Sequence, residues 1–238
     1  MRSAVTAVAI ATGFSSFAEA QGGSVFADAT VSTSLQDRGA QLSGETLELL
    51  AGIERPISFG TAYAAVYRIE PLGTSRSVFS PETDYSLGFV LEGKRYTADL
   101  SANWLTYPGT SEDSTLELVA AIELDLWGMP HIIAFGDMHT DDKGLEVSAG
   151  PSRKIGDWSI QARARTGLVG MGDGSPTRPY AGLEASARRI LSDRIEFGLI
   201  AAFDISDQDT LSADIRSGEI TAMGQQGLSA GAFLSFAH

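Results

Sequence analysis

The stretch Thr115-Leu116-Glu117-Leu118-Val119-Ala120-Ala121-Ile122-Glu123-Leu124-Asp125-Leu126 decides the fold. Leu116, Leu118, Ala120, Ile122, Leu124 and Leu126 fall on one face of an extended chain. Thr115, Glu117, Val119, Ala121, Glu123 and Asp125 fall on the other. Side chains of a strand alternate with a period of two, so this segment has one face suited to hydrocarbon and one suited to water. The same pattern recurs along the chain, and each recurrence ends in a turn or loop. Strands are expected at about 24–35, 45–54, 61–70, 84–92, 96–107, 114–126, 131–139, 145–151, 158–168, 180–188, 194–204 and 227–236. An even number of such strands predicts an all-β fold, a transmembrane antiparallel up-and-down β-barrel of 12 strands.

The ends and the composition agree with export. Arg2 is a short basic segment, residues 4–14 are apolar, and Ala18-Glu19-Ala20 has the small-x-small form of a cleavage site. Residues 1–20 are therefore expected to be a signal peptide cut between Ala20 and Gln21, and residues 21–238 one barrel domain. The expected location is the outer membrane of a Gram-negative bacterium. The chain has no Cys, which excludes disulfides and thiolate chemistry, and its net charge of -13 argues against nucleic-acid binding. A hydrophobic content of 43% suits a barrel in which only alternate residues face lipid.

The expected connections alternate. Those around residues 55–56, 93–94, 128–130, 155–157 and 191–193 are tight, and those at 71–83, 169–179 and 205–226 are longer and more polar. The short-turn rim, which also carries both termini, is expected to be periplasmic. Tyr63, Tyr96, Trp127 and Trp158 near the turns, and Tyr67, Tyr85, Trp104, Tyr180 and Phe203 near the loops, are expected to form two interfacial belts. The near-terminal aromatic Phe236 suits recognition by barrel-insertion machinery, although Ala237 and His238 follow it. The seventh strand has no clean phase, because Ile132 and Ile133 point to opposite faces.

The polar face supplies the candidate lining of a pore: Asp28, Glu48, Arg68, Asp99, Glu117, Glu123, Arg163, Arg165, Glu184, Arg188 and Glu196. Its carboxylates and arginines fall on separate parts of the wall, an arrangement that orients polar solutes in a water-filled lumen. The same charges, paired across a narrow barrel, would close it. The expected function is a porin-like passive channel for small hydrophilic solutes or ions, with lipid as its surroundings and no cofactor. Three alternatives remain: a closed structural or interaction barrel, a membrane hydrolase using Ser148 with His131 or His139, and a soluble periplasmic β protein. No nucleophile motif surrounds Ser148, so no enzyme activity is expected. Asp137, His139, Asp141 and Asp142 form a small acidic cluster that reads more readily as a solvated loop than as a cation site.

The segment from Val31 to Ser43, Val-Ser-Thr-Ser-Leu-Gln-Asp-Arg-Gly-Ala-Gln-Leu-Ser, resembles the opening of a proteobacterial outer-membrane porin family, the TorF-like proteins. Arg38 and Gly39 carry the match: a first strand running into an Arg-Gly pair, a short polar loop, then a second amphipathic strand. The resemblance covers about the first fifty residues after the signal. It implies an outer-membrane barrel with pore function and supplies no catalytic residues.

Overall fold

The computed structural model describes residues 23–73, 75, 79–110, 114–211, 215–216, 219–220 and 223–238. The expected signal peptide and cleavage site, with Ala18, Ala20 and Gln21, lie outside the described residues. The strands are β1 (Ser24–Ser32), β2 (Leu35–Asp37), β3 (Ala40–Ser43), β4 (Thr46–Ile57), β5 (Gly60–Pro71), β6 (Glu82–Glu92), β7 (Tyr96–Thr106), β8 (Thr115–Leu124) and β9 (His131–Asp137). They continue with β10 (Lys143–Ala149), β11 (Ser152–Ile155), β12 (Trp158–Gly170), β13 (Arg178–Ser192), β14 (Ile195–Ser206), β15 (Ile215–Arg216), β16 (Glu219–Ile220) and β17 (Gln226–Ala237).

The wall is a meander in which each strand pairs antiparallel with the next, and β1 closes the ring against β17. Val25 and His238 exchange backbone hydrogen bonds of 2.8 Å at the seam, so His238 is part of the closure. β10 and β11 pair with β12 in one continuous register and act as a single wall strand. Pro151 interrupts them without breaking the hairpin. It has no N–H to donate, yet its carbonyl still accepts from the Ala162 N–H at 3.1 Å. With these two counted as one, the wall has twelve strands, and closure leaves no unpaired edge. β2–β3 and β15–β16 are hairpins inside loops.

Alternation along the wall sets the two faces. Val25, Val31, Leu49, Ile53, Leu87, Leu118, Leu183, Leu199, Leu228 and Leu234 are exposed on the outside. Phe26, Leu50, Tyr67, Leu105 and Ile133 on the other phase are buried in the lumen. This resolves the seventh wall strand, β9: Ile133 and Phe135 point inward, and Ile132 and Ala134 lie outward. Its phase was ambiguous in sequence because its inner face is apolar at these positions.

Strands and turns differ from expectation at several ends. β4 and β5 pair as far as Ile57 and Gly60, so the turn lies at Ser58-Phe59 rather than at Arg55-Pro56. The loop between β9 and β10 is only residues 138–142, the shortest on its rim. The aromatic belts are smaller than expected. Tyr96 and Trp127 are exposed near the turn rim. Tyr85 and Trp104, with ring centroids 5.9 Å apart, are exposed toward the loop rim together with Phe203. Tyr63, Tyr67 and Tyr180 instead point inward and are buried.

Glycines explain part of that inward turn. A Cβ added at Gly88 would lie 2.5 Å from the Tyr63 ring, and one at Gly167 would lie 2.5 Å from the Tyr180 ring. The rings lie flat on neighbouring strands because those positions have no side chain. Phe26 over Gly52, Phe135 over Gly144 and Phe233 over Gly198 repeat the arrangement.

Candidate functional site: the lumen and its hairpin

The first loop does not extend away from the barrel; its β2–β3 hairpin folds into the lumen. Asp37 pairs with Ala40 across a two-residue turn, and Arg38 (φ 47°) and Gly39 (φ 74°) both occupy the left-handed region. That is the type I′ geometry suited to a tight hairpin. Glycine adopts it freely, whereas for arginine it costs about 1–2 kcal/mol. Contacts made by Arg38 offset that cost.

Arg38 reaches the wall opposite its own attachment. Its Nη1 donates to Glu117 Oε2 on β8 at 2.7 Å, and its guanidinium lies 3.2 Å from the centre of the Phe135 ring on β9. Arg178 on β13 donates from Nε to the Arg38 carbonyl at 3.1 Å. Gly39 sits so close to Tyr180 that a Cβ would lie 2.4 Å from that ring's own Cβ. Thr210 Oγ1 donates to the Gly39 carbonyl at 2.6 Å. On the near side, Leu35 joins a buried cluster with Phe26, Leu50, Tyr67, Ile69 and Phe79, and Leu42 packs against it. The hairpin is thus fixed by apolar contact on one side and by ionic contact on the other.

The lumen therefore has two halves. Toward the loop rim, Glu82, Asp84, Glu117 and Asp204 are at most 1% exposed, and Arg178 and Tyr180 are also buried. Toward the turn rim, the side chains of Glu123 (31% exposed), Arg188 and Glu196 meet water. Burial of the docked hairpin pushes its Asp37 carboxyl up to about 6, with the Arg38 charge opposing and Glu117 adding to the shift.

Ten of the eleven expected lining residues point into the lumen. Asp28 accepts from Thr30 Oγ1 at 2.9 Å and from Ser235 Oγ at 2.5 Å. Glu48 accepts from the Tyr67 hydroxyl, and Asp99 from the Tyr63 hydroxyl at 2.9 Å. Arg163 Nη2 bonds Glu123 at 2.7 Å, bridging two wall strands that are not neighbours. Arg165 contacts Asp204 through two nitrogens, at 3.1 and 2.5 Å, and lies 3.8 Å from Glu146. Arg188 lies 3.7 Å from Glu196 on the adjacent strand, and Glu184 pairs in register with Arg163.

Arg68 is the exception. It lies opposite Leu49 in register, on the outer face, where it pairs with Glu70 and donates to Thr83 Oγ1 at 2.6 Å. The inward positions of β5 are Tyr63, Ala65, Tyr67 and Ile69, so the strand's apolar residues face in at this end and its charges face out. The charge alone suggested the lumen, but near the loop rim a charged pair sits among headgroups at little cost.

Sequence reading missed Asp37, Arg38, Glu82, Asp84, Glu146, Arg178 and Asp204 as lumenal groups. Continuing the alternation of β6, β10 and β14 finds Glu82, Asp84, Glu146 and Asp204. Nothing local reveals that the hairpin folds inward.

The other candidate sites change character. Asp137 Oδ1 accepts from Thr115 Oγ1 at 2.6 Å and from the backbone N–H groups of His139 (2.7 Å) and Thr140 (2.8 Å), so it caps the turn. Asp142 Oδ1 accepts from the Gly172 N–H at 2.8 Å. Among the described residues, no group of three or more His, Cys, Asp or Glu side chains is placed to hold a metal. Ser148 and His131 face each other in register on β10 and β9, and both are buried.

No protein-family model matches the chain, and no curated protein matches it. Solved structures do resemble it in fold. The COG4313 outer membrane channel from Pseudomonas putida F1 superposes with a TM-score of 0.52 at 8% identity, over 95% of this chain and 99% of that one. The KdgM porin, solved with disordered oligogalacturonate, gives 0.51 at 7% identity, over 90% and 98%. The NanC porin gives 0.51 at 6% identity, over 89% and 98%. The chain has the fold of these outer-membrane barrels: a closed, antiparallel, twelve-stranded wall.

Proposed function

We propose that this protein is an outer-membrane channel for small hydrophilic solutes or ions, whose outer mouth is narrowed by the β2–β3 hairpin. The observation that carries the reading is the wet, ionic half of the lumen below that hairpin. Glu123, Arg188 and Glu196 keep partly exposed side chains there, and a barrel serving only as a scaffold has no need of an open, charged vestibule. The twelve-stranded fold shared with channels and porins supports the reading, as does the Arg38-Gly39 opening that resembles the TorF-like porins. The loop rim is taken as extracellular and the turn rim as periplasmic. Passage is passive and needs no enzyme chemistry.

The dry upper half favours a second reading, a closed structural barrel, because the hairpin and the buried ion pairs fill the lumen there. Planar-bilayer recording of the purified protein separates the two. The channel reading expects unitary conductance steps in the wild type that become larger or more frequent when the hairpin is released. Silence in both the wild type and a variant lacking residues 35–43 would favour the closed barrel.

A further inference from the structure

Four side chains on the lumenal faces of β6 and β7 carry oxygen atoms that are buried without a hydrogen-bond partner: Glu82 Oε1, both carboxylate oxygens of Asp84, Ser86 Oγ and Asn103 Oδ1. All four residues are at most 2% exposed. They form one patch. Glu82, Asp84 and Ser86 alternate along the inner face of β6, and Ser86 is the direct cross-strand partner of Asn103. Opposed side chains of an antiparallel pair have Cβ atoms about 4.5–5.5 Å apart, and residues two apart on one strand lie about 7 Å apart, so Asp84, Ser86 and Asn103 are close enough to share one ligand, whereas Glu82 lies about 13 Å along the strand from Ser86.

Among the described residues, the charges that act on the patch are negative. Asp37 and Glu117 both add negative potential at Glu82, and Glu117 does so at Asp84. The Arg38 guanidinium is engaged with Glu117, the cross-strand partner of Asn103. An isolated carboxylate in a dry site costs several kcal/mol, so buried carboxylates are found paired, protonated or on a metal. The Glu82 and Asp84 carboxyls are within hydrogen-bonding reach of each other, so one shared proton would satisfy part of the patch. It would leave Asn103 Oδ1 still without a donor. Carboxylate, amide and hydroxyl oxygens are together the donor set of a hard cation, which takes such ligands at about 2.3–2.6 Å when it is calcium.

We infer that Asp84, Ser86 and Asn103 bind one hard divalent cation, of which calcium is the type, in the lumenal wall beneath the hairpin, with Glu82 one pleat away adding negative charge. The cation offsets the negative charge of the patch, and water or a neighbouring carbonyl completes its shell. It also braces the wall next to Glu117, the residue that Arg38 grips. The inference does not depend on whether the lumen conducts.

The test uses the full chain, refolded in detergent and stripped with chelator. Calcium is titrated by calorimetry, and terbium luminescence is excited through Tyr67, which pairs in register with Asp84. The expected result is one site per chain and calcium-displaceable terbium emission. Affinity should fall by about tenfold or more in Asp84→Asn and stay unchanged in Asp157→Asn, an exposed carboxylate at the turn rim. If Asp84→Asn fails to fold, Asn103→Asp takes its place; adding a charged donor should tighten calcium binding by about tenfold, and an unchanged affinity would overturn the site. Absence of binding in the wild type, with Asp84→Asn melting higher than wild type in the absence of metal, would show that a shared proton alone meets the charge. Binding that survives Asp84→Asn intact would place the cation elsewhere.

Discussion

Arg38 is the residue on which the lumen turns. It occupies a backbone conformation that disfavours a side chain, and its guanidinium both stacks on Phe135 and bonds Glu117. Replacing it with alanine takes the guanidinium away from buried Glu117, and breaking a buried pair in this way costs about 3–5 kcal/mol. Arg38→Ala is expected to lower stability in a urea titration by an amount of that order, and Glu117→Gln in the same background should recover most of it. Asp37 adds a dependence on pH. With the hairpin free in water its carboxyl takes the ordinary value of 3.8; docked, it is raised to about 6. A raised value means that the docked state binds the proton more tightly, so docking strengthens as pH falls from about 7 towards 4 and weakens as pH rises through 6. Arg38, Arg165, Glu117 and Glu146 act on this carboxyl, and it in turn acts on Arg178. Conductance is therefore expected to fall on acidification across that window, and Asp37→Asn should remove the dependence. A pH response that persists in Asp37→Asn would assign it to another group.

At the scale of the strand, alternation alone decides which substitutions the barrel tolerates. Leu118 and Leu199 are exposed on the outer face, whereas Ser101 pairs with Val119 on the lumenal one. Leu118→Arg or Leu199→Arg should destabilise by about 2–4 kcal/mol if near the bilayer midplane, and Ser101→Arg by much less. Equal tolerance in a refolding titration would contradict the register. The glycine–aromatic contacts give a second test. Gly167→Ala puts a Cβ where the Tyr180 ring lies, and overpacking of this kind costs about 1–3 kcal/mol. The double variant Gly167→Ala with Tyr180→Leu should lose less than the sum of the two single changes. Much of this level was legible in sequence. The twelve wall strands and their number follow from period-two alternation, which every strand but the seventh carries cleanly. Tyr63, Tyr67 and Tyr180 were not legible, because an aromatic suits an interface and a lumen equally, and the deciding feature is a glycine on another strand. Arg68 misled for the same reason: its charge is local information, and its facing depends on where the strand meets the rim. The Arg38-Gly39 turn could be read as a turn, but its docking against β8, β9 and β13 is a contact of long sequence separation that no local pattern encodes.

For the whole molecule, a closed wall surrounds a lower lumen whose charged side chains stay partly exposed, and a hairpin docks across the upper lumen. The lumenal charges are mostly paired, so their arrangement and not their number alone sets selectivity. Glu123 is held by Arg163, and Asp204 by Arg165. Arg163→Ser and Arg165→Ser together should free both carboxylates and strengthen a preference for cations. Glu117→Gln with Glu123→Gln should weaken or reverse it. Salt should reduce the preference, as screening shortens the reach of each charge to about 10 Å at 0.1 M. The most direct measurement of the central claim is bilayer recording of the wild type and Arg38→Ala under a salt gradient. The account predicts a small conductance in the wild type, a larger or more frequently open one in Arg38→Ala, and a cation-selective reversal potential in both. No conductance in either, from protein that heat-modifiable migration shows to be folded, would contradict it.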